Sequence, residues 1–143
     1  MGWTFSLNIR GFFELVQWLL PRFSEGASIV ALSSQGAVQA MPYYTLVGST
    51  KGALESFCRH LAVEVAPRGI RVNILSPGSV LTEAWSTMPE KEKRLDEAVA
   101  RTPLKRLITS EEVAWAAHFL CCDASSGIVG HTLVVDGGTR IVG

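Results

Sequence analysis

Cysteine is scarce in this chain of 143 residues: Cys58, Cys121 and Cys122 form neither a CxxC pair nor a Cys/His spacing that would hold a metal. A disulfide framework and a zinc fold are thereby excluded, and a reduced, cytoplasmic compartment is expected. The histidines His60, His118 and His131 are scattered, so no metal site is expected. Charge of one sign is also missing, since thirteen basic residues balance thirteen acidic ones without long blocks, which excludes an electrostatic nucleic-acid footprint. No apolar run reaches the roughly 20 residues needed to cross a bilayer, so no membrane partner is expected. The nearest, residues 11–20 behind Arg10, is broken by Glu14 and Gln17, which also spoils a signal-peptide pattern. Glycine is plentiful, yet no GxGxxG or related strand-to-helix turn occurs. Repeats and low-complexity tracts are lacking too.

What is present is a 48% hydrophobic chain of one-domain length, 1–143, with enough apolar residues for a core. Apolar residues at Leu7, Phe12, Leu15, Val16 and Leu19 recur at helical spacing until Pro21, which predicts a buried helix from Trp3 to Leu20. Residues 27–32 form a short, continuously apolar run expected of a strand covered on both faces. A helix from Val47 to Ala66 follows, with Leu54, Cys58, Leu61 and Val65 as its apolar stripe. Residues 70–75 read as a second strand, ending at a turn, Ser76-Pro77-Gly78. Residues 82–101 carry much of the local charge and are expected to be a solvated helix and a lid. Thr109 and Glu112 form a capping box that opens a helix over 113–122, and residues 132–135 are a last strand before Asp136-Gly137-Gly138. The alternation implies a parallel sheet of about three strands with right-handed crossovers and one unpartnered edge.

The most informative residues are Tyr44 and Lys51. Seven positions are about two helical turns, so phenol and ammonium project from one face. A nearby ammonium favours the phenolate, and such a pair can protonate a substrate oxygen. Tyr43, next in the chain, is an alternative for the same role. Ser33 and Ser34 close the first strand beside them, where a serine pair also serves simply to cap backbone groups. The tryptophans Trp3, Trp18, Trp85 and Trp115 are expected to be packing or interface residues.

These motifs, in this order, resemble the carboxyl-terminal half of a short-chain dehydrogenase/reductase, over essentially the whole chain. The fold class implied is α/β, the last part of a Rossmann-type doubly wound parallel sheet whose nucleotide-binding half is expected to be absent from these residues. Asn8, Ser34 and Lys51 match the family's helix asparagine, strand-end serine and lysine. Pro77 and Gly78 match its proline-glycine turn, with Val80 and Thr82 at positions that contact the nicotinamide amide. Most members place the tyrosine four positions before the lysine, where this chain has Val47. Tyr44, seven positions before it, is similar instead to the arrangement in enoyl-acyl-carrier-protein reductases.

The resemblance implies NAD(P)H-dependent reduction of an enoyl thioester in fatty-acid synthesis, with Tyr44, Lys51, Ser34 and Asn8 as the catalytic set. Lys51, Ser33, Pro77, Gly78, Val80 and Thr82 would face the cofactor, NADPH or NADH, with NADPH slightly favoured. Asn8 is expected to bend its helix and anchor a water chain behind Lys51. An acyl thioester and further copies of the chain are the partners implied. Two alternatives stand beside this reading: a carbonyl or alcohol oxidoreductase of the 3-oxoacyl reductase kind, and a catalytically silent truncated module.

Overall fold

The protein is described from a computed structural model, which covers residues 2–82 and 90–142. The chain opens with helix α1 (Gly2–Phe5), widens into a π turn at Ser6–Arg10 and continues as α2 (Gly11–Leu19). Strand β1 (Ser28–Leu32), the long helix α3 (Thr45–Val65), strand β2 (Arg71–Pro77), helices α4 (Lys91–Arg101) and α5 (Ser110–Cys121), and strand β3 (Thr132–Val135) complete the fold. The strands form one parallel sheet in the order β1-β2-β3. Leu32 lies opposite Leu75, and Pro77 opposite Val135, so all three strands end on the same side. This is the side on which open α/β sheets bind ligands.

The expected stripe of α3 builds the core. Leu54, Cys58, Leu61 and Val65 pack with Ile29 and Ala31 of β1 and with Val72 and Ile74 of β2, joined by Val16 from α2. Cys58 is fully buried there, and burial, aided by the charge of Glu55, pushes its thiol up to about 12. It is a packing residue and a poor nucleophile. Alternation along the strands turns Ser28, Arg71 and Asn73 to the opposite face, beneath α5. Helix α3 closes at Pro67 and then Gly69, whose φ of 70° suits glycine.

On the α5 face, polar groups replace a second apolar cluster. The buried Arg71 guanidinium donates to the carbonyls of Leu120, Cys122 and Ser125 at 2.9, 3.2 and 3.1 Å, and so closes the otherwise open carboxyl end of α5. Asn73, also buried, donates to the Ile128 carbonyl at 2.8 Å and accepts from the His131 amide at 3.0 Å, which holds the approach to β3. The capping box at Thr109 and Glu112 is present in full. Its carboxylate is held down to about 2 by the Arg106 guanidinium and the Thr109 amide.

Two expectations need correction. The first helix is not buried within this chain: only Val16 of α2 is enclosed, while Trp3, Leu7, Leu15 and Trp18 are exposed at 79%, 62%, 55% and 64%. Of the two roles expected for the tryptophans, Trp3, Trp18 and Trp115 do not fill internal packing, for Trp115 is 71% exposed as well, and the interface role stays open. Their helical periodicity is real, but the apolar residues exceed what a three-stranded sheet can cover. Helix α4 carries the expected charge; residues 83–89 of the expected lid, with Trp85, lie outside the described residues.

The Arg71 clamp yields the first prediction. Arg71→Leu should cost about 3 kcal/mol or more in urea unfolding, because it strands several buried carbonyls at once.

Candidate active site

The carboxyl end of β1 and the first turns of α3 meet over the edge of the sheet. Tyr44 is the residue at which α3 begins, and Ser34 begins a short helical turn over Gln35–Ala37 by accepting the Gly36 amide at 3.1 Å. These two starts bring the side chains together, with the Ser34 and Tyr44 hydroxyls 3.2 Å apart. Tyr43 takes no part. It has φ of 59° and is fully exposed, at 106% of the reference area.

Lys51 reaches the same strand end from two turns further along α3. Its ammonium donates to the Leu32 carbonyl at 2.8 Å, and partial burial lowers its pKa from the ordinary value. An ammonium has three protons, so two remain for other acceptors. The phenol and the ammonium are therefore held separately, one by Ser34 and one by the backbone of β1, and no hydrogen bond joins them among the described residues.

Asn8 bonds the residue next to Lys51 on α3. The π turn carries it to Thr50, where Nδ2 donates to Oγ1 at 2.9 Å, and Thr50 in turn donates to the Val47 carbonyl at 2.7 Å. Thr50 is fully buried, so this relay pins the first turns of α3 from within. Asn8 lies within the π turn and gives one of its two N–H groups to Thr50.

Ser33 departs from the expectation of a cofactor contact through its hydroxyl. It continues the alternation of β1, so its side chain follows Ile29 and Ala31 inward. It is 4% exposed and donates to Glu55 Oε1 at 2.6 Å. Pro77 ends β2 and Gly78 donates to the Val135 carbonyl at 2.9 Å. A side chain at Gly78 would crowd Asp136, whose Cα lies 2.9 Å from the Cβ position. Val80 forms a parallel bridge to Ile108, and Thr82 is exposed at the end of the same segment. The Asp136 carboxylate accepts the amides of Gly138 and Arg140, both at 2.8 Å, so the terminal motif is a turn built by its own side chain.

Sequence reasoning passed over a close approach. A side chain at Gly48 would place its Cβ 2.6 Å from the Gly36 carbonyl, so the bare helix surface lets the 35–41 loop lie directly on α3. A cleft of about 390 Å³ opens beside that contact, with Tyr44, Gly48 and Gly52 in its wall and Met41 on its far side. The available signal was a glycine inside an otherwise regular helix, which is unfavourable unless another backbone must come near. Among the described residues, no group of three or more His, Cys, Asp or Glu side chains is gathered for a metal, and no helix is long and apolar enough to cross a membrane.

Comparison with known proteins identifies the family. A family model described as enoyl-(acyl carrier protein) reductase matches residues 2–140. The chain belongs to this family of short-chain dehydrogenase/reductases. It is 40% identical over 116 residues to the enoyl-[acyl-carrier-protein] reductase [NADH] FabI of Escherichia coli K12, covering 81% of this chain and 44% of that protein. It is 39% identical over 145 residues to the 1-cyclohexenylcarbonyl-CoA reductase of Streptomyces collinus, covering 97% of this chain and 50% of the relative. A crystal structure of a Brucella melitensis short-chain dehydrogenase/reductase, titled glucose/ribitol dehydrogenase, superposes with a TM-score of 0.87 at 40% identity, over 94% of this chain and 54% of that one. The chain thus spans about half the length of the relatives it matches, and its three strands are part of a Rossmann-type sheet.

For this family member, Gly48→Ala is expected to cost about 1–3 kcal/mol in thermal or urea unfolding, as overpacking does, because the Gly36 carbonyl must retreat.

Proposed function

We propose that these residues form the substrate-facing part of a nicotinamide-dependent reductase that saturates the double bond of an enoyl thioester. The observation that carries this reading is the place of the phenol. Tyr44 stands at the entry to α3, hydroxyl to hydroxyl with Ser34, while the position one turn before Lys51 is Val47, which has no proton to give. In a ketone reduction the oxygen sits on the carbon attacked, whereas in an enoyl thioester the charge gathers on an oxygen displaced from that carbon. A donor set back along the helix suits the second case. Tyr44 donates to that developing oxyanion, Ser34 fixes the direction of the phenol, and the 390 Å³ cleft beside it receives the acyl group.

The residues fit the nicotinamide end of the cofactor. Lys51 has two protons left for a ribose diol, Pro77 and Gly78 end β2 on the same side of the sheet as Leu32, and Thr82 is exposed. When bound, the dinucleotide supplies the hydride. The E. coli relative is named for NADH, so the cofactor proposed is NADH in place of the NADPH that the resemblance slightly favours. A cytoplasmic setting belongs to the same reading. Asn8, through Thr50 and the Val47 carbonyl, keeps α3 in register beneath the phenol.

With NADH as hydride donor, the chain is expected to reduce a crotonyl thioester in preference to an acetoacetyl thioester. Tyr44→Phe should lower kcat about 100-fold, and Tyr43→Phe should leave it unchanged. Turnover confined to the ketone would overturn the enoyl reading in favour of a carbonyl reductase; no turnover and no NADH binding would make the chain a silent module.

We also propose that a second copy of the chain covers the exposed apolar face of α1 and α2, where Trp3, Leu7, Leu15 and Trp18 stand in solvent. Light scattering should find a dimer or larger assembly, and a monodisperse monomer would refute it.

A further inference from the structure

Helix α3 carries one more polar residue toward the end of β1, and none of the chemistry above uses it. Glu55, one turn beyond Lys51, is 6% exposed and sits between the core residues Leu54 and Cys58. Its Oε1 accepts the Ser33 hydroxyl at 2.6 Å. Its Oε2 has Arg59 Nη1 at 4.0 Å, from a side chain that is itself 55% exposed. A carboxylate so enclosed, with one hydroxyl donor and one distant cation, is unfavourable compared with a leucine or methionine of similar volume. Core packing gives no reason for it; its place in the fold does.

Three consecutive residues at the end of β1 are each held by a different residue of the helix or its first position. The Leu32 carbonyl is bound by Lys51, the Ser33 hydroxyl by Glu55 and the Ser34 hydroxyl by Tyr44. The Ser33 amide donates to Leu75 at 2.8 Å, a backbone bond that carries the strand pairing one residue past the end of β1 before the chain turns toward the 35–41 loop. A short hydrogen bond to a carboxylate is stiffer than one between neutral groups, and here it lies at the residue just before Ser34.

We propose that Glu55 is a positioning residue: by holding the Ser33 hydroxyl it fixes where β1 leaves the sheet and so aims Ser34 at the Tyr44 phenol. The catalytic consequence rests on the reading of Tyr44 as the proton donor; the geometric one does not.

The test uses the full chain with Tyr43→Phe, which leaves Tyr44 as its single tyrosine, isotopically labelled at the phenol carbon for NMR. Ser34→Ala provides the signal of a Tyr44 that has lost its partner. Glu55→Leu and Ser33→Ala should each move the Tyr44 signal toward that reference, and the double variant should move it no further than either alone. Glu55→Gln, which still accepts a hydrogen bond, should stay near the parent. Where enoyl reduction is measured, Glu55→Leu should lower kcat about tenfold with KM unchanged, as a small misplacement of a donor does, and Glu55→Gln should recover it. A Tyr44 signal unmoved in variants that still protect Cys58 from a thiol reagent would overturn the proposal. Ser33→Ala decides alone if Glu55→Leu does not fold. Because the NMR signal needs no turnover, a chain inactive on enoyl thioesters would defeat the functional reading while the Tyr44 signal still judges Glu55.

Discussion

The site depends on how one strand end is fastened to one helix. A parallel strand stops pairing where its neighbour no longer offers amides and carbonyls, and beyond that point the backbone is free to wander. Here the chain leaves β1 through Leu32, Ser33 and Ser34, and each of these is tied by a side chain at Lys51, Glu55 or Tyr44. Helix α3 is fixed in turn by its buried stripe on the sheet below and by the Asn8–Thr50 relay at its first turns. The position of the phenol is thus inherited from the core. The loop between contributes too: it rests on the bare surface at Gly48, lays its own bare Gly36 against the Tyr44 ring, and accepts the Tyr44 amide at the Met41 carbonyl at 3.2 Å.

The same arrangement separates two tasks that the sequence presents as one. Tyr44 and Lys51 share a helix face, and from spacing alone the ammonium reads chiefly as a tuner of the phenol. In the folded chain the lysine's first bond is to the backbone of β1, and the tyrosine's is to a serine. Lys51 is thereby a structural tie with protons to spare, and Ser34 is the immediate partner of the phenol. A tie through the ammonium also explains why lysine rather than arginine serves: a compact head on a flexible stem can satisfy one carbonyl and still turn its other protons outward.

Much of this was legible in the sequence because it rests on local rules. The strands at 28–32 and 132–135, the stripe of α3 and the capping box at Thr109 all follow from periodicity and turn chemistry, and so does the second strand, expected over 70–75 and found at Arg71–Pro77. Tyr44 and Lys51 stand out by their spacing on one helix face, whereas Ser34 stands out from Ser33 only through the family resemblance. What escaped depends on contacts distant in sequence. The Arg71 clamp joins a strand to a helix end about fifty positions away, and nothing in the run Ile70-Arg71-Val72 marks its arginine as internal. Ser33 and Ser34 are identical in type, and only the alternation of β1 sends one inward to Glu55 and the other toward Tyr44. The exposed face of α1 and α2 was misjudged because periodicity reports that a face is apolar without saying whether the same chain covers it.

That last distinction bears on how the fold carries its chemistry. A three-stranded parallel sheet has two edges, and its strands are apolar enough to be covered on both faces. In this chain α3 and α5 cover the faces, and the core beneath the site is closed by residues of these 143 positions. The geometry of Ser34, Tyr44 and Lys51 is set inside that part: among the described residues, the side-chain ties that fix them begin and end between Asn8 and Leu75. The open edge of β1 and the bare helices α1 and α2 lie outside this circuit. Association at those surfaces can therefore raise stability while leaving the phenol where the helix puts it.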